Sequence, residues 1–242
     1  MKHSLNRKIV RALAIITILA VAAITAMAQG TAGGDKTQIL QKLKQTAADN
    51  KQKLQQYTWL ETQQVTLKGE AKPERAFECQ YGPDGRVQKT PIGAPPPPNQ
   101  KGGKLKQRMI AKKTEEMKDY MQEVQGVVSL YVPPDPQRMQ QAYQAGNVSI
   151  NSTFGSNQAN LVFKNYAQPG DEMTIGFDST SKKIQTLNVN TYLNDPKDAV
   201  TLAVHFASLP DGTNYAQQTV LDAKATQMQV TTSNSNYARR AQ

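Results

Sequence analysis

The sequence predicts an α+β fold: a curled antiparallel sheet, a half-barrel of about eight or nine strands, covered by two or three helices. Three observations support this prediction. An amphipathic helical segment precedes the first strands, and two more helical segments lie mid-chain. After residue 147 nearly every segment alternates between apolar and polar residues. Because short turns join these segments, we expect neighbouring strands to pair antiparallel and the helices to cover the concave side.

The first 28 residues have the three-part pattern of a secretory signal peptide. Four basic residues and no acidic ones come first, an apolar run follows at 12–25, and small residues occupy positions 26 and 28. The run is shorter than the roughly 20 residues that span a bilayer. We therefore expect cleavage between Ala28 and Gln29 and a periplasmic or secreted protein. Gln29 stands where a lipid-anchored product would need a cysteine.

Charge and cysteine content narrow the class of protein. Cleavage would remove the four basic residues of the signal segment and lower the formal net charge from +10 to +6. In an exported protein this charge is explained by solubility first, then by contact with anionic membrane surfaces or polyanionic envelope polymers, and less well by nucleic-acid binding. One cysteine forms no intrachain disulfide, so the core must stabilise the chain. Cys79 alternates with Phe77 and Tyr81, which predicts a buried strand thiol; an intermolecular disulfide or a metal role is the alternative.

The cleaved chain is expected to be a flexible leader at 29–34 followed by one domain at 35–242. A helix is predicted from Asp35, a good N-cap residue, to about residue 56, because apolar residues recur there at helical spacing. Its other face holds lysine and glutamine, which suits contact with solvent.

Three strands are predicted after this helix. The period changes to two at Tyr57, where threonines alternate with larger residues, and this favours a strand with one polar face. These strands are expected at 57–67, 75–81 and 86–90. The next segment, 91–103, holds four consecutive prolines and a glycine pair, so it is expected to be irregular. A surface loop is the favoured interpretation, and a recognition ligand for a partner is the alternative.

Two helices are predicted in the middle of the chain. Apolar residues at spacings of three, four and eight predict a long helix at about 104–130. Asp135 and Pro136 suit the N-cap and first position of a shorter helix, which Gly146 ends.

The remaining chain predicts an antiparallel meander. Turns rich in Pro, Gly, Asn and Asp separate its alternating segments. Strands are expected at 159–166, 172–178, 187–193, 200–207, 215–221 and 226–232.

No catalytic, metal or cofactor site is predicted. His205, the one histidine outside the signal segment, lies on the polar face of its strand, where a solvated side chain is expected. The sequence lacks a histidine pair, a calcium loop and a phosphate-binding glycine loop. Glu61 beside Trp59 would suit a sugar site, but no second acid can be assigned to it. We therefore expect a protein that is not an enzyme.

The main functional signal is a row of three methionines, Met109, Met117 and Met121, on the apolar side of the long helix. We call this row the methionine stripe. Methionine adapts to variable apolar surfaces, so this stripe predicts either simple packing on the sheet or an apolar cavity between helix and sheet. The candidate ligand-binding residues are Met109, Met117, Tyr120, Met121 and Trp59.

Parts of the sequence resemble known proteins. The segments 161–166, 195–200 and 207–215 are similar to an uncharacterised family of exported bacterial proteins. More loosely, the signal segment, first helix, Tyr57-Thr-Trp strand, central helices and meander resemble the periplasmic lipoprotein-carrier fold of the LolA/LolB type. That resemblance implies an apolar cavity between sheet and helices that holds acyl chains.

Two binding functions remain open from the sequence, and a hydrolase that uses His205 or Glu61 is the third alternative. Binding of a lipid, acyl chain or other apolar ligand follows from the methionine stripe facing a curled sheet. Binding of an envelope protein, as an interaction or sensor module, follows from the Pro-rich segment 91–103 and the basic surface. Peripheral membrane contact is compatible with both functions, and the oligomeric state is left open. A large apolar cavity under the long helix would favour the first function, and a filled core the second.

Overall fold

The computed structural model describes residues 49–93, 103–152, 156–178, 180 and 183–240. The predicted signal segment, the cleavage site at Ala28 and Gln29, the leader and most of the first helix lie outside these residues. So does most of the Pro-rich segment. The described part of the first helix, α1, covers residues 49–54. No helix in these ranges combines the length and apolar character that a membrane span requires.

The described residues after α1 form eleven strands, two α-helices and one short 3-10 helix. They are β1 (Tyr57–Leu67), β2 (Glu70–Ala71), β3 (Arg75–Tyr81), β4 (Val87–Ile92), α2 (Lys104–Val128), α3 (Pro136–Gln144), β5 (Val148–Ser152), β6 (Gln158–Lys164), β7 (Glu172–Asp178), β8 (Ile184–Tyr192), β9 (Ala199–Ser208), β10 (Asn214–Ala223), the 3-10 helix (Lys224–Thr226) and β11 (Met228–Arg239).

These strands form one open, curled antiparallel sheet. Its order is β4-β3-β1-β11-β10-β9-β8-β7-β6-β5, and β2 pairs with the end of β1. From β5 to β11 each strand pairs with the next one in sequence, which is the predicted meander. Because β1 lies beside β11, the N-terminal strands extend the same sheet. The predicted α+β class and curled sheet are confirmed.

The sheet has more strands than the eight or nine predicted. β2 contains two residues, too few to show an alternation, and β5 contains five, of which only two are apolar. β4 also includes Pro91 and Ile92, which the sequence assigned to an irregular segment. A proline fits there because β4 is an edge strand, where one backbone N–H can be lost from the ladder.

The concave face of the sheet is apolar across six neighbouring strands. The register aligns one row of apolar side chains from β10 to β5, all buried except the partly buried Val148: Leu221, Leu202, Val189, Met173, Phe163 and Val148. Helices α2 and α3 cover these strands through Met121, Val124, Val128, Met139 and Ala142. We call this assembly the helix-covered core.

A buried carboxylate joins the end of α2 to the sheet. Asp171, in the β6–β7 turn, is 2% exposed and accepts a hydrogen bond of 2.6 Å from the hydroxyl of Tyr131, just beyond α2. It also accepts bonds from the backbone N–H groups of Tyr166, Ala167 and Gln168. Burial and the bond to Asp171 raise the pKa of Tyr131. One carboxylate therefore organises the turn and anchors the helix.

Helix α1 is joined to β10 by two asparagines. The Asn50 amide donates to the backbone carbonyl of Asn214 at 3.0 Å and accepts from its backbone N–H at 2.9 Å. The side chain of Asn50 thus replaces a backbone partner at the end of β10. Leu54, one turn further along, is buried against the sheet.

Replacing Asp171 tests the importance of this anchor. In Asp171→Asn, one carboxylate oxygen is replaced by an amide NH2 group. That group is itself a donor, so it cannot accept the hydrogen bonds that the oxygen accepts now. We expect the free energy of unfolding to fall by about 2–3 kcal/mol, as for a lost buried charged acceptor. Urea unfolding followed by circular dichroism measures the change.

The matched control is Asp195→Asn. Asp195 accepts a hydrogen bond from the Lys197 N–H on an exposed turn, so this variant should change stability by less than about 0.5 kcal/mol. Equal effects of the two substitutions would contradict the anchoring role of Asp171.

Candidate ligand-binding site

A second apolar cluster lies at the other end of β1, beside α1. We call it the aromatic cluster; its members are Leu54, Trp59, Phe77, Cys79 and Tyr81, with Val87, Tyr215 and Tyr237 packed against them. Trp59 stacks on Tyr237 with ring centroids 5.5 Å apart and an interplanar angle of 10°. Burial, followed by the nearby Tyr81 and Tyr215, raises the pKa of Tyr237. The cluster is therefore a neutral, largely buried platform.

Asp211 fixes the outer end of this cluster. It accepts a hydrogen bond of 2.8 Å from the hydroxyl of Tyr57 and pairs with Arg239 at 3.0 Å. Burial alone would raise the pKa of Asp211, but hydrogen bonds from Thr213, Tyr57 and Arg239 together lower it below its ordinary value. The folded state therefore favours the ionised form of the Asp211 carboxylate.

A polar patch separates the aromatic cluster from the helix-covered core. Along β1, Trp59 belongs to the aromatic cluster and Val65 packs against the helix-covered core, while Glu61 and Gln63 lie between them on the same face. The register places Arg75 of β3 and Thr232 of β11 on either side of Gln63. The polar patch consists of Glu61, Gln63, Arg75, Lys89, Thr219, Thr232 and Asn234.

A buried ion pair lies at one edge of this patch. The Lys89 ammonium group donates to Glu61 Oε1, and the two side chains are 6% and 7% exposed. Lys89 Nζ also lies 5.9 Å from the centroid of the Phe77 ring. Burial, and secondarily the Glu61 carboxylate, raises the pKa of the neighbouring Cys79 to about 12. The predicted buried strand thiol is confirmed, and it is protonated and unreactive at neutral pH.

The centre of the patch holds hydrogen-bonding groups that no described residue satisfies. The Gln63 side chain is 6% exposed as a whole, but its amide reaches solvent and has no hydrogen-bond partner among the described residues. Arg75 is half-buried and lies on the same face of β3 as Phe77. It forms no ion pair with any described residue. The patch therefore contains two cations against one carboxylate, with one cation unpaired.

An open groove runs beside the C-terminal half of α2. Its volume is about 330 Å³, and it is lined by Glu123, Gly126, Val127, Leu130, Leu193 and Asn194. Next to it, the Tyr120 hydroxyl donates to Asp198 of the β8–β9 turn at 2.7 Å. Burial and this hydrogen bond raise the pKa of Tyr120 to about 12. The groove thus borders a second polar contact between α2 and the sheet.

The structure distributes the predicted ligand-binding residues over separate places. Met121 is buried in the helix-covered core, and Met117 and Tyr120 pack at its border. Met109 is 56% exposed, three turns closer to the start of α2. Trp59 belongs to the aromatic cluster, so the structure does not bring it together with the methionines.

The described ranges contain no cluster of side chains suited to hold a metal ion. No three His, Cys, Asp or Glu side chains there are placed to hold a metal ion. His205 is exposed on β9, as its place on the polar face predicted. The partner of Glu61 is the Lys89 cation, not a second acid of the kind that a sugar hydrolase uses.

The polar patch is the feature that the sequence analysis missed. The alternation of β1 already placed Glu61 and Gln63 on the face of Trp59 and Val65. Two polar residues between apolar residues of the same strand face indicate a polar site in the interior, and the sequence alone shows them. The pairing with Lys89 and Arg75 depends on the register of β3 and β4, which the sequence pattern does not specify.

Comparison with known proteins gives a similarity of fold. No protein-family model matches the chain, and no curated protein matches it. A DUF1329 family protein from Desulfovibrio piger is 8% identical, with 80% of this chain and 89% of that chain covered and a TM-score of 0.36. A LolA superfamily protein from Nitrosomonas europaea is 8% identical, with 81% and 94% covered and a TM-score of 0.36.

A double-mutant cycle tests the buried ion pair. Lys89→Met leaves the Glu61 carboxylate buried without its partner, so we expect a loss of about 3–5 kcal/mol in the free energy of unfolding. Adding Glu61→Leu should restore most of that loss, because no uncompensated charge then remains. Urea unfolding of the four proteins gives the coupling energy, and simple additivity of the two substitutions would contradict a coupled pair.

The Asp211 contact predicts a pH dependence. Because its pKa is lower in the folded chain, ionised Asp211 stabilises the fold above the unfolded value of about 4, and this contribution disappears as pH falls further. Asp211→Asn should therefore be less stable than the parent protein at neutral pH, and the difference should shrink in acid. Unfolding curves at a series of pH values measure it; a difference that stays constant with pH would contradict this assignment.

Proposed function

We propose that the protein binds an apolar or amphiphilic ligand, such as a lipid or an acyl chain, between the concave face of the sheet and α2, without converting it chemically. The observation that carries this proposal is the partial packing of α2. The described side chains at 108, 109 and 111–116 are exposed, whereas Met121, Val124 and Val128 are buried against the sheet. A helix held by half its length can shift without exposing the whole core.

The described core under the second half of α2 is filled, which by the cavity criterion favours a protein partner. The ligand-binding proposal therefore depends on the exposed first half of α2 and on the groove beside the helix. The volume of this groove lies within the range of small-molecule sites. Val127, Leu130 and Leu193 supply apolar contact, and methionine neighbours adapt to chains of variable shape. In this proposal Met117, Tyr120 and Met121 form the helix side of the site, Met109 extends the stripe to the surface, and Trp59 lies at the far end of the concave face.

The proposed location is the periplasm or the extracellular space. The signal-like first 28 residues support it. A lipid or acyl ligand of the cell envelope fits that location.

A protein partner is the second candidate function. The exposed first half of α2 favours it, since Met109 is surrounded there by Arg108, Lys112 and Lys113. Crosslinking in the envelope fraction would then yield a reproducible partner that the charge-reversed variant Lys112→Glu/Lys113→Glu no longer captures.

The ligand-binding proposal is tested with the full chain purified after export. Native mass spectrometry should show co-purified lipid or fatty acid, or uptake of cis-parinaric acid methyl ester. Leu130→Asp puts a charge into the groove and removes one apolar side chain from it. Because burying such a side chain is worth about 1.5–3 kcal/mol, we expect binding to weaken by at least about ten-fold.

The matched control is Ile92→Asp. Ile92 is also an exposed apolar residue, but it lies on the edge strand β4, so binding should be unchanged. Circular dichroism confirms that both variants are folded. Protein that is always free of ligand and takes up no probe would overturn the proposal.

A further inference from the structure

We propose that the polar patch is a head-group site, which binds the single anionic group, a carboxylate or a phosphate, of an amphiphile whose apolar chain lies along the adjoining apolar rows. This inference rests on the proposed function, and it adds the chemical class of the ligand. It is carried by the alignment of the patch, by its unpaired charge and by an accessible amide that has no partner among the described residues.

The alignment brings donors from three strands to one place. Arg75, Gln63 and Thr232 are directly opposite one another on β3, β1 and β11. Directly opposite residues have Cβ atoms roughly 5 Å apart. An anionic group above Gln63 is therefore within reach of a guanidinium group, an amide and a hydroxyl group.

The charges of the patch favour an anion. Lys89 is paired with Glu61, whereas Arg75 has no carboxylate partner among the described residues. Glu78, a neighbouring acid on β3, alternates to the exposed face of the strand. The planar guanidinium group forms two parallel hydrogen bonds with a carboxylate or a phosphate, so Arg75 is suited to hold such a group.

Gln63 supplies the independent indication of a ligand. Its side chain is 6% exposed as a whole, but the amide is not among the buried polar atoms without a partner, so it reaches solvent. It lies between two other polar side chains of its row and has no hydrogen-bond partner in the described part of the chain. The amide is therefore accessible and available to bond a head group at this position.

The same row leads from the patch into apolar surface. Beyond Thr232 it continues through Thr219 of β10 to Val204, Leu187 and Ile175. A ligand anchored at Arg75 would thus direct its chain towards the strands that α2 covers. Polar head and apolar chain meet matching surfaces along one line of the sheet.

The test compares cis-parinaric acid with its methyl ester, which has the same chain and no charge. Energy transfer from Trp59, the single tryptophan of the chain, reports binding. Arg75→Gln should weaken binding of the acid by about ten-fold or more, the loss typical of a charged hydrogen bond, and leave the ester within about two-fold. Gln63→Leu should act in the same direction on the acid alone.

Arg86→Gln is the matched control, because Arg86 is an exposed arginine in the β3–β4 turn; it should leave both probes unaffected. Acetate and inorganic phosphate, offered as competitors, should not displace the acid. Displacement by either small anion, with no binding of the ester, would show a site for free anions and overturn the inference.

The remaining outcomes separate the two proposals. Acid and ester binding alike, with neither affected by Arg75→Gln or Gln63→Leu, would overturn the head-group site and keep the proposed function. No binding of either probe to the folded parent protein would overturn both. Circular dichroism and urea unfolding establish that each variant is folded before its affinity is compared.

Discussion

The register between neighbouring strands is the constraint on which the other features depend. Successive side chains of a strand point to opposite faces, so a slip of one residue would move a whole row from the interior to solvent. In this sheet the register from β5 to β11 keeps one apolar row continuous, and the pairing of β1 with β11 carries that face into the N-terminal strands. Helices α1, α2 and α3 then have one concave surface to cover.

The same register creates the polar patch, and stability alone does not explain it. Replacing a buried ion pair by well-packed apolar residues is often neutral or stabilising. Glu61, Lys89 and Gln63 nevertheless occupy inward positions at which apolar residues would extend the core. The head-group site proposed above would give these inward polar residues a role that packing alone does not.

Features that depend on neighbouring residues could be predicted from the sequence, whereas features that depend on pairing between distant strands could not. Alternation and turn residues predict the long strands, and Asp135 with Pro136 predicts the start of α3, because these signals are local. The short strands β2 and β5 exist through pairing with longer neighbours, which no local signal records. Pro91 lies in a strand because β4 is at the edge, and an edge position is a property of the whole sheet. The patch was missed for the same reason, since its members come from separate strands.

The anchors of α2 determine how a ligand would reach the interior. Tyr131 holds the end of the helix to Asp171 and Thr191, and Tyr120 holds its middle to Asp198. The described side chains before residue 117 lack such burial. A displacement that keeps both hydrogen bonds would therefore be largest at the start of the helix. That geometry would let a chain slide under the methionine stripe while the polar anchors keep the helix in register with the sheet.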